Sequence, residues 1–256
     1  KSDLYDPNYT MLCKGEEALL GPGSVTENRG ESSHGELDMK TAFQVSCNHY
    51  FGDIAIKASF NSMQETAEEF GFNKELSIGK LYAKTGNYKT LADDNYLLSW
   101  QAIGQPIDVN ELSVSTLHLA MISGAIANGG VTMQPYLVKS FISPRGDHYD
   151  FTESEVYCQV SRQADLETIN EDLIATVNNG KSYGSYIEGY RIGGKTGTAE
   201  SVNDSGELVS NSLYTGFIDN PQYPYAIGIV FEDGWYDTAA IAGQMFYQAI
   251  QADLSN

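Results

Sequence analysis

The sequence is poor in basic residues and has no long apolar run. Only 15 of its 256 residues are Lys or Arg, against 34 Asp or Glu, so its formal net charge is −19 at pH 7. Proteins that bind nucleic acids neutralise phosphates with clustered basic side chains, and this balance therefore indicates no nucleic-acid partner. A membrane-spanning helix needs about 20 predominantly apolar residues in succession, and no such run occurs. The length suits one domain with a sizeable core.

The few cysteines and histidines show no spacing typical of a metal site. They are Cys13, Cys47, Cys158, His34, His49, His118 and His148. The cysteines lie far apart in the sequence, which indicates neither a zinc site nor a disulfide framework. The histidines lack the short separations of metal ligands, so surface or core positions are expected for them. The sequence therefore predicts no metal and no cofactor.

Turn residues and hydrophobic periodicity predict an α+β domain over residues 1–256, with an antiparallel sheet flanked by helices. Residues 1–36 are expected to be irregular, because glycine and proline interrupt them repeatedly. Residues 37–135 are expected to be mainly helical and to carry the loop around Ser46. Residues 136–256 are expected to hold the sheet and a closing helix.

Local patterns predict the individual elements. Helices are predicted over residues 37–45, 49–58, 62–71, 115–128, 166–177 and 238–253. Strands are predicted over residues 136–142, 149–151, 188–199, 213–218 and 225–231. Ser62 and Glu65 match a capping box at the start of the third helix. Residues 72–112 are expected to be loosely structured.

The strand predicted over residues 188–199 carries polar groups suited to chemistry. Lys195 supplies one cation, and strand periodicity places the hydroxyls of Thr196 and Thr198 on one face. Gly197 between them leaves the backbone uncovered. Such a strand suits an extended peptide that ends in a carboxylate, because the peptide can add to the strand edge through main-chain hydrogen bonds. The alternative is a glycine-rich turn, since Lys84-Thr85-Gly86 repeats the tripeptide elsewhere in the chain.

A second polar motif, Ser46-Cys47-Asn48, falls at a predicted break between two helices. By itself it reads as an N-cap serine with a turn asparagine. Together with Lys195-Thr196-Gly197-Thr198, however, it resembles the second and third signatures of serine acyl-transferases of the penicillin-binding type. The resemblance extends in order through residues 33–51, 102–105, 115–120, 127–130, 194–200 and 214–217. It covers about residues 10–250 and is nearest to class B penicillin-binding proteins, the monofunctional peptidoglycan transpeptidases.

The resemblance implies a role for each site residue. Ser46 would relay a proton and Asn48 would hydrogen-bond the backbone of the substrate. Lys195 would supply positive potential and tune Ser46. Thr196, Gly197 and Thr198 would bind the substrate, with the two hydroxyls on its carboxylate and the Thr198 amide in the oxyanion hole.

The resemblance also implies the substrate and the setting. The substrate would be a peptidoglycan stem peptide ending in D-Ala-D-Ala, and β-lactam antibiotics would trap the acyl-enzyme. No cofactor would be needed. The site would face the outside of the cell membrane, in a parent protein whose anchor lies outside this sequence, with cell-wall synthesis proteins as candidate partners.

The first signature of the family, a Ser-x-x-Lys nucleophile motif on a helix, has no good match. Ser24 is followed by Glu27 where lysine is expected. Ser77 matches the motif with Lys80, but it follows Ser46 in the chain and has Gly79 inside the supposed helix. We therefore leave the nucleophile unknown and keep Ser77 only as a poorly matching candidate. We expect this chain alone to be inactive.

The missing motif implies an incomplete fold and leaves several functions open. The chain is expected to begin after the nucleophile helix and to lack two strands, which would leave residues 225–231 at an unpaired sheet edge. A serine β-lactamase, a D,D-carboxypeptidase and a β-lactam sensor share the expected fold and remain alternatives. A non-catalytic module that binds peptides or β-lactams is the alternative from another functional class.

Overall fold

The computed structural model describes residues 6, 8–27, 32–89, 94–105, 112–203 and 205–254. Its helices are α1 Met39–Val45, α2 Asn48–Ala58, α3 Phe60–Glu69, α4 Asn95–Gln101, α5 Thr116–Ala127, α6 Gln163–Asn179 and α7 Thr238–Leu254. A 3₁₀ turn follows α6 at Tyr183–Ser185. Its strands are β1 Met11–Cys13, β2 Gly35–Leu37, β3 Glu75–Ile78, β4 Leu81–Lys84, β5 Gly86–Tyr88, β6 Leu112–Val114, β7 Val131–Met133, β8 Phe141–Ile142, β9 His148–Tyr149, β10 Val156–Gln159, β11 Ile192–Val202, β12 Leu208–Ile218 and β13 Ala226–Phe231.

The main sheet is antiparallel and has the order β11-β12-β13. Lys195 on β11 is opposite Thr215 on β12, which in turn is opposite Gly228 on β13. Within the described residues β13 pairs with β12 alone, so the strand predicted over residues 225–231 does lie at an edge. The remaining strands form five two-stranded ribbons around this sheet.

Helices cover the two faces of the main sheet. Thr215 donates a hydrogen bond of 2.8 Å to the carbonyl of Leu119, which places α5 on its face. The neighbouring Tyr214 points to the opposite face, because side chains alternate along a strand. It is fully buried in a cluster that includes Phe246 and Ile250 of α7. The α+β architecture predicted from the sequence is therefore confirmed.

The N-terminal part forms a second packed unit beside α6. Asp38 caps α1 by accepting a hydrogen bond of 2.8 Å from the amide of Thr41. Cys13, Leu37 and Tyr50 belong to a buried cluster that joins β1, β2, α1 and α2. The cluster places the start of α2 against the segment that precedes α1, and this packing positions the Ser46 loop.

Several predicted boundaries were wrong. Residues 1–36, expected to be irregular, contain β1 and the start of β2, whereas residues 1–5, 7 and 28–31 lie outside the described residues. The region 72–112, expected to be loose, contains three strands and α4. Helix α3 begins before Ser62, after Ser59 as its N-cap. The strand over residues 136–142 reduces to β8, because its hairpin partner β9 has only two paired residues. The other helices and the last three strands lie where their patterns predict, within a few residues.

Candidate active site

Lys195 and Ser46, 149 residues apart in the sequence, meet through a hydrogen bond. The Nζ of Lys195 donates to the Oγ of Ser46 at 2.8 Å, and it also donates to the Thr196 carbonyl at 2.9 Å. Lys195 is held by the middle of β11, whereas Ser46 lies between α1 and α2. The structure thus joins the two motifs that the sequence analysis singled out.

Ser46 occupies an unusual backbone conformation that turns the chain between two helices. Its φ and ψ are 58° and 51°, the left-handed region, and it is the C-cap of α1. The amide of Cys47 donates to the Ala42 carbonyl at 2.9 Å, which closes the last turn of α1. A non-glycine residue in this region costs roughly 1–2 kcal/mol. The surrounding contacts must therefore stabilise the conformation that aims the Ser46 hydroxyl at Lys195.

Asn48 begins α2 and is held by the segment before α1. Its Nδ2 donates to the Thr26 carbonyl at 2.9 Å, and its backbone amide donates to Oε2 of Glu27 at 3.1 Å. Its side chain therefore has a fixed orientation in this structure. Its contact with a substrate, expected from the resemblance, stays a prediction.

Glu27 is a buried carboxylate that caps α2. Its Oε1 accepts hydrogen bonds from the His49 amide at 3.0 Å and from the Cys47 thiol at 3.0 Å. Burial acts to raise the pKa of Glu27, but the hydrogen bonds from His49, Cys47 and Asn48 outweigh it, and the pKa falls below its ordinary value. Glu27 is therefore ionised at neutral pH. The negative charge is favoured at the N-terminus of a helix.

The buried position of Lys195 makes its ammonium group more acidic than that of an ordinary lysine. Burial lowers its pKa to about 8, with a smaller contribution from the positive charge of Lys181. At neutral pH the ammonium therefore remains mostly charged, yet it titrates about two units nearer neutrality than an ordinary lysine. Such a group can supply positive potential and can also exchange a proton with the Ser46 hydroxyl.

The edge of β11 that faces away from β12 has no strand partner among the described residues, and side chains bind several of its backbone groups. Thr196 donates its amide to the Ser182 hydroxyl at 3.2 Å. Gln105 binds further along, where its Nε2 donates to the Thr198 carbonyl at 2.9 Å and its Oε1 accepts from the Glu200 amide at 3.3 Å. In an antiparallel ladder a residue whose carbonyl points outward also points its amide outward. The Thr198 amide therefore points to the same outer edge of β11 as the Thr196 amide.

The residues along this edge are partly open to solvent. Gly197 and Thr198 are exposed, and Thr196 is partly exposed. A Cβ added at Gly197 would meet only the Leu213 Cβ, at 3.6 Å, so the open backbone is not a packing requirement. Because Gly197 has no side chain, it leaves the backbone on its own face of the strand uncovered.

Gly193 and Gly194, by contrast, are required by packing. A Cβ at Gly193 would lie 2.8 Å from the Cε1 of Phe217, and a Cβ at Gly194 would lie 2.5 Å from the Cζ of Tyr214. Both aromatic side chains are fully buried. The glycine pair therefore lets two large rings pack against the strand that carries Lys195, one on each face of the sheet.

The other residues considered in the sequence lie in different settings. Ser77 is exposed on β3, and Lys80 follows it in the hairpin turn, so this Ser-x-x-Lys match is not on a helix. Lys84 lies at the end of β4, opposite Glu75. Ser24 is buried, and its hydroxyl donates to the Gly21 carbonyl at 2.9 Å. None of the three lies in β11 or in the Ser46 loop.

Sequence reasoning did not identify several residues that shape the site. Gln105 ends one of the segments that carry the resemblance, so its position could have been suspected. Ser182, Lys181 and Glu27 carry no local signal, because each acts on a residue at least 14 positions away. Their roles follow only from the folded arrangement.

Comparison with known proteins finds relatives along most of this chain. The peptidoglycan D,D-transpeptidase PbpA of Mycobacterium tuberculosis is 28% identical over 232 residues, which make up 88% of this chain and 45% of that protein. Stage V sporulation protein D of Bacillus subtilis is 28% identical over 187 residues, 72% of this chain and 28% of that protein. The chain thus spans less than half the length of these two curated relatives.

Solved structures share the fold over almost the whole chain. The crystal structure of the D,D-transpeptidase domain of a peptidoglycan glycosyltransferase from Eggerthella lenta matches with a TM-score of 0.85 at 25% identity, covering 98% of this chain and 61% of that one. The imipenem acyl-enzyme of penicillin-binding protein A from M. tuberculosis matches with a TM-score of 0.79 at 23% identity, covering 99% and 56%. The family model of the penicillin-binding protein transpeptidase domain matches residues 14–251. The chain therefore belongs to the penicillin-binding protein transpeptidase domain family.

Proposed function

We propose that this chain supplies the proton relay and the substrate-binding strand of a serine D,D-transpeptidase that cross-links peptidoglycan stem peptides. The observation that carries the proposal is the 2.8 Å hydrogen bond from Lys195 to Ser46 beside the exposed backbone of Gly197 and Thr198. A titratable amine, a hydroxyl and an open strand edge are what acyl transfer to and from a peptide requires.

The substrate is a stem peptide ending in D-Ala-D-Ala, bound in extended form along β11. Its main chain pairs with the Thr198 carbonyl and the Glu200 amide after the Gln105 side chain, which binds both groups in the free protein, has moved away. The hydroxyls of Thr196 and Thr198 hold its terminal carboxylate, and the positive charge of Lys195 attracts it. The amide of Thr198 stabilises the oxyanion as the scissile carbonyl becomes tetrahedral.

The Ser46–Lys195 pair moves the proton. As a serine nucleophile attacks the carbonyl of the penultimate residue and forms an acyl-serine, its hydroxyl proton passes to the Ser46–Lys195 pair, and Ser46 delivers a proton to the departing D-Ala amine. The amine of a neighbouring stem peptide then attacks the acyl-serine, and its proton returns through the same pair to the serine oxygen as the ester bond breaks. The lowered pKa of Lys195 suits this exchange, because acid–base groups work best with a pKa near the working pH.

β-Lactams are expected to bind the same strand as carboxylate-bearing mimics of the peptide. Solved complexes of penicillin-binding protein A from M. tuberculosis with imipenem and penicillin G are acyl-enzymes. The substrate lies outside the cytoplasmic membrane, so the site works on that side, where other cell-wall synthesis proteins are its candidate partners. Among the described residues no helix has the length and apolarity to cross a bilayer.

The serine nucleophile is the part of the reaction that this sequence does not identify. The exposed hairpin position of Ser77 argues against it, because the family's nucleophile opens a buried helix. The gene sequence upstream of the codon for Lys1 separates the two main hypotheses. A Ser-x-x-Lys motif before an apolar helix supports the transpeptidase, and a native start at Lys1 supports a non-catalytic binding module.

The test labels the complete gene product with a fluorescent penicillin and follows acylation by gel and mass spectrometry. Lys195→Ala and Ser46→Ala are each expected to slow acylation at least about a hundredfold, since acid–base groups contribute about 10²–10⁴ in rate. Lys84→Ala, in the second Lys-Thr-Gly sequence, is the matched control and should change the rate less than about twofold, because surface substitutions are usually near neutral.

The same reagent applied to the 256-residue chain should give no covalent adduct. An adduct on Ser77 would reassign the nucleophile. Equal loss of acylation in Lys84→Ala and Lys195→Ala would refute the assignment of β11 as the substrate-binding strand.

A further inference from the structure

Four potential metal ligands from distant parts of the sequence converge behind the Ser46 loop. Cys13, Glu27, His34 and Cys47, here called the thiol cluster, each offer one ligand atom, and these atoms all lie within 4.8 Å of one another. Cys13, Glu27 and Cys47 are buried, and His34 is partly exposed. The cluster is thus a polar site inside the protein with one member at the surface, through which an ion can enter.

Four of the six separations among the ligand atoms of the thiol cluster lie close to those of a tetrahedral site, and all six are within 4.8 Å. Oε1 of Glu27 lies 3.0 Å from the Cys47 Sγ, 3.4 Å from the Cys13 Sγ and 3.9 Å from the His34 Nδ1. The Cys13 Sγ lies 3.5 Å from the His34 Nδ1. Zinc binds nitrogen, oxygen and sulfur at about 2.0–2.3 Å, so the edges of its coordination tetrahedron measure about 3.3–3.8 Å. An ion at the centre therefore requires shifts of only a few tenths of an ångström in these four distances.

The fold holds these ligands in place through backbone structure. Cys13 is opposite Gly35 in the β1–β2 pair, which sets His34 beside it. Glu27 is fixed by the amides of Asn48 and His49 at the start of α2, and Cys47 is the N-cap of that helix. Two ligands therefore belong to regular elements, Cys13 to the ribbon and Cys47 to the helix terminus, and the other two lie in loop segments held next to these elements.

We propose that the thiol cluster is a structural zinc site. Two thiolates, one imidazole and one carboxylate form a closed four-ligand set of the kind that zinc takes in structural sites, and thiolates select against magnesium and calcium. On binding, the two thiol protons leave to solvent, and two sulfur–zinc bonds replace the thiol–carboxylate hydrogen bonds. The Nδ1 of His49 lies 3.7 Å from the Cys13 Sγ, where it can donate to the thiolate and support it from outside the ligand shell.

Zinc at this position ties the active-site loop to the N-terminal ribbon. Cys47 lies between Ser46 and Asn48, so a bond to its sulfur restrains the backbone on either side. Ser46 depends on such restraint, because its left-handed conformation is unfavourable by itself. The zinc is a positioning element and takes no part in acyl transfer, and metal binding can be measured whether or not the proposed function is correct.

The test measures metal content of the reduced 256-residue chain. After reconstitution with zinc and removal of free ion, mass spectrometry should find about one zinc per chain in the wild type. Cys13→Ser and His34→Ala should each lose it. Cys158→Ser is the matched control, since Cys158 is also buried and free but lies outside the cluster, and it should retain the metal.

Two further measurements make the result independent of how the variants fold. Cobalt added to the wild type should give the visible bands of a tetrahedral ion and a thiolate-to-cobalt charge-transfer band. Zinc at about a hundred times its Kd should raise the melting temperature by about 5–10 °C, and a chelator should reverse this. Failure of the reduced wild type to bind either ion would overturn the proposal. So would equal metal loss in Cys158→Ser, or a Cys13–Cys47 disulfide in place of zinc in the chain isolated from cells.

Discussion

Replacing Gly194 by alanine should destabilise the protein through the packing beneath the active-site strand. The new Cβ would lie 2.5 Å from the Cζ of Tyr214 and would also overlap its hydroxyl. Tyr214 is fully buried, and its hydroxyl donates to the Ser185 hydroxyl at 2.7 Å. The ring cannot move aside without displacing α7, because Phe246 and Ile250 belong to the same cluster.

The size of the effect follows from two contributions. Overpacking a well-filled core costs about 1–3 kcal/mol, and breaking the Tyr214–Ser185 hydrogen bond in a buried setting costs about 1–3 kcal/mol. Glycine in a strand is itself unfavourable, so alanine recovers about 0.5–1 kcal/mol. The net loss in free energy of unfolding is about 1–5.5 kcal/mol, which lowers the melting temperature of a chain of this size by about 2–22 °C.

Differential scanning fluorimetry of the 256-residue chain measures this shift. Gly197→Ala on the same strand is the control, because its Cβ meets only Leu213 at an ordinary contact distance of 3.6 Å, and it should change the stability by less than about 0.5 kcal/mol. Tyr214→Phe removes the overlapping hydroxyl, so the double variant Gly194→Ala/Tyr214→Phe should lose at least about 1 kcal/mol less than the sum of the single variants. A melting temperature of Gly194→Ala within about 2 °C of the wild type, or strictly additive losses, would refute the packing argument.

Two further predictions concern the strand edge. Because the pKa of Lys195 is about 8, its charged fraction falls from about 90% at pH 7 to about 10% at pH 9. Affinity for a D-Ala-D-Ala peptide, followed by calorimetry, should weaken over this range, whereas Lys195→Arg should show a flat profile because arginine stays charged; a flat wild-type profile would contradict the role of Lys195. Gln105→Ala should speed hydrogen exchange of the Glu200 amide by about two- to tenfold, since the lost bond is worth about 0.5–1.5 kcal/mol. Gln134→Ala, which removes a side-chain bond to the Ser77 carbonyl, should leave that amide unchanged, and protection of Glu200 that persists without Gln105 would contradict the assignment.

Long elements with a clear period were predictable from the sequence because their signals are local. Helix α5 begins after the N-cap Ser115, whose side chain accepts from the His118 amide, and ends at Asn128 before a glycine pair. Helix α6 carries an apolar stripe that includes Leu166, Leu173 and Val177. Each of these features lies within one element, so no knowledge of distant partners was needed.

Local sequence patterns missed the short strands, because these strands are stabilised by pairing with another strand and their own residues carry little signal. β1 and β2 have three residues each and meet across a loop, with Met11 opposite Leu37. β3, β4 and β5 are equally short, and no alternating pattern of that length stands out from a turn. Their existence depends on contacts that a local pattern does not contain.

The sequence by itself determined which residue types form the candidate site. The tertiary structure decided how they are arranged. Two weak motifs and their order sufficed to indicate Ser46, Asn48 and Lys195, but a hydrogen bond between positions 149 residues apart exists only after the sheet has packed beside α1. The meeting of the ligands in the thiol cluster was even less predictable from the sequence. These ligands, at positions 13, 27, 34 and 47, are separated by 14, 7 and 13 residues and lie on a ribbon, in the loop segments next to it and at a helix terminus. Ligand spacing is informative in a sequence only when one local element holds the ligands, and here the chain must fold before they become neighbours.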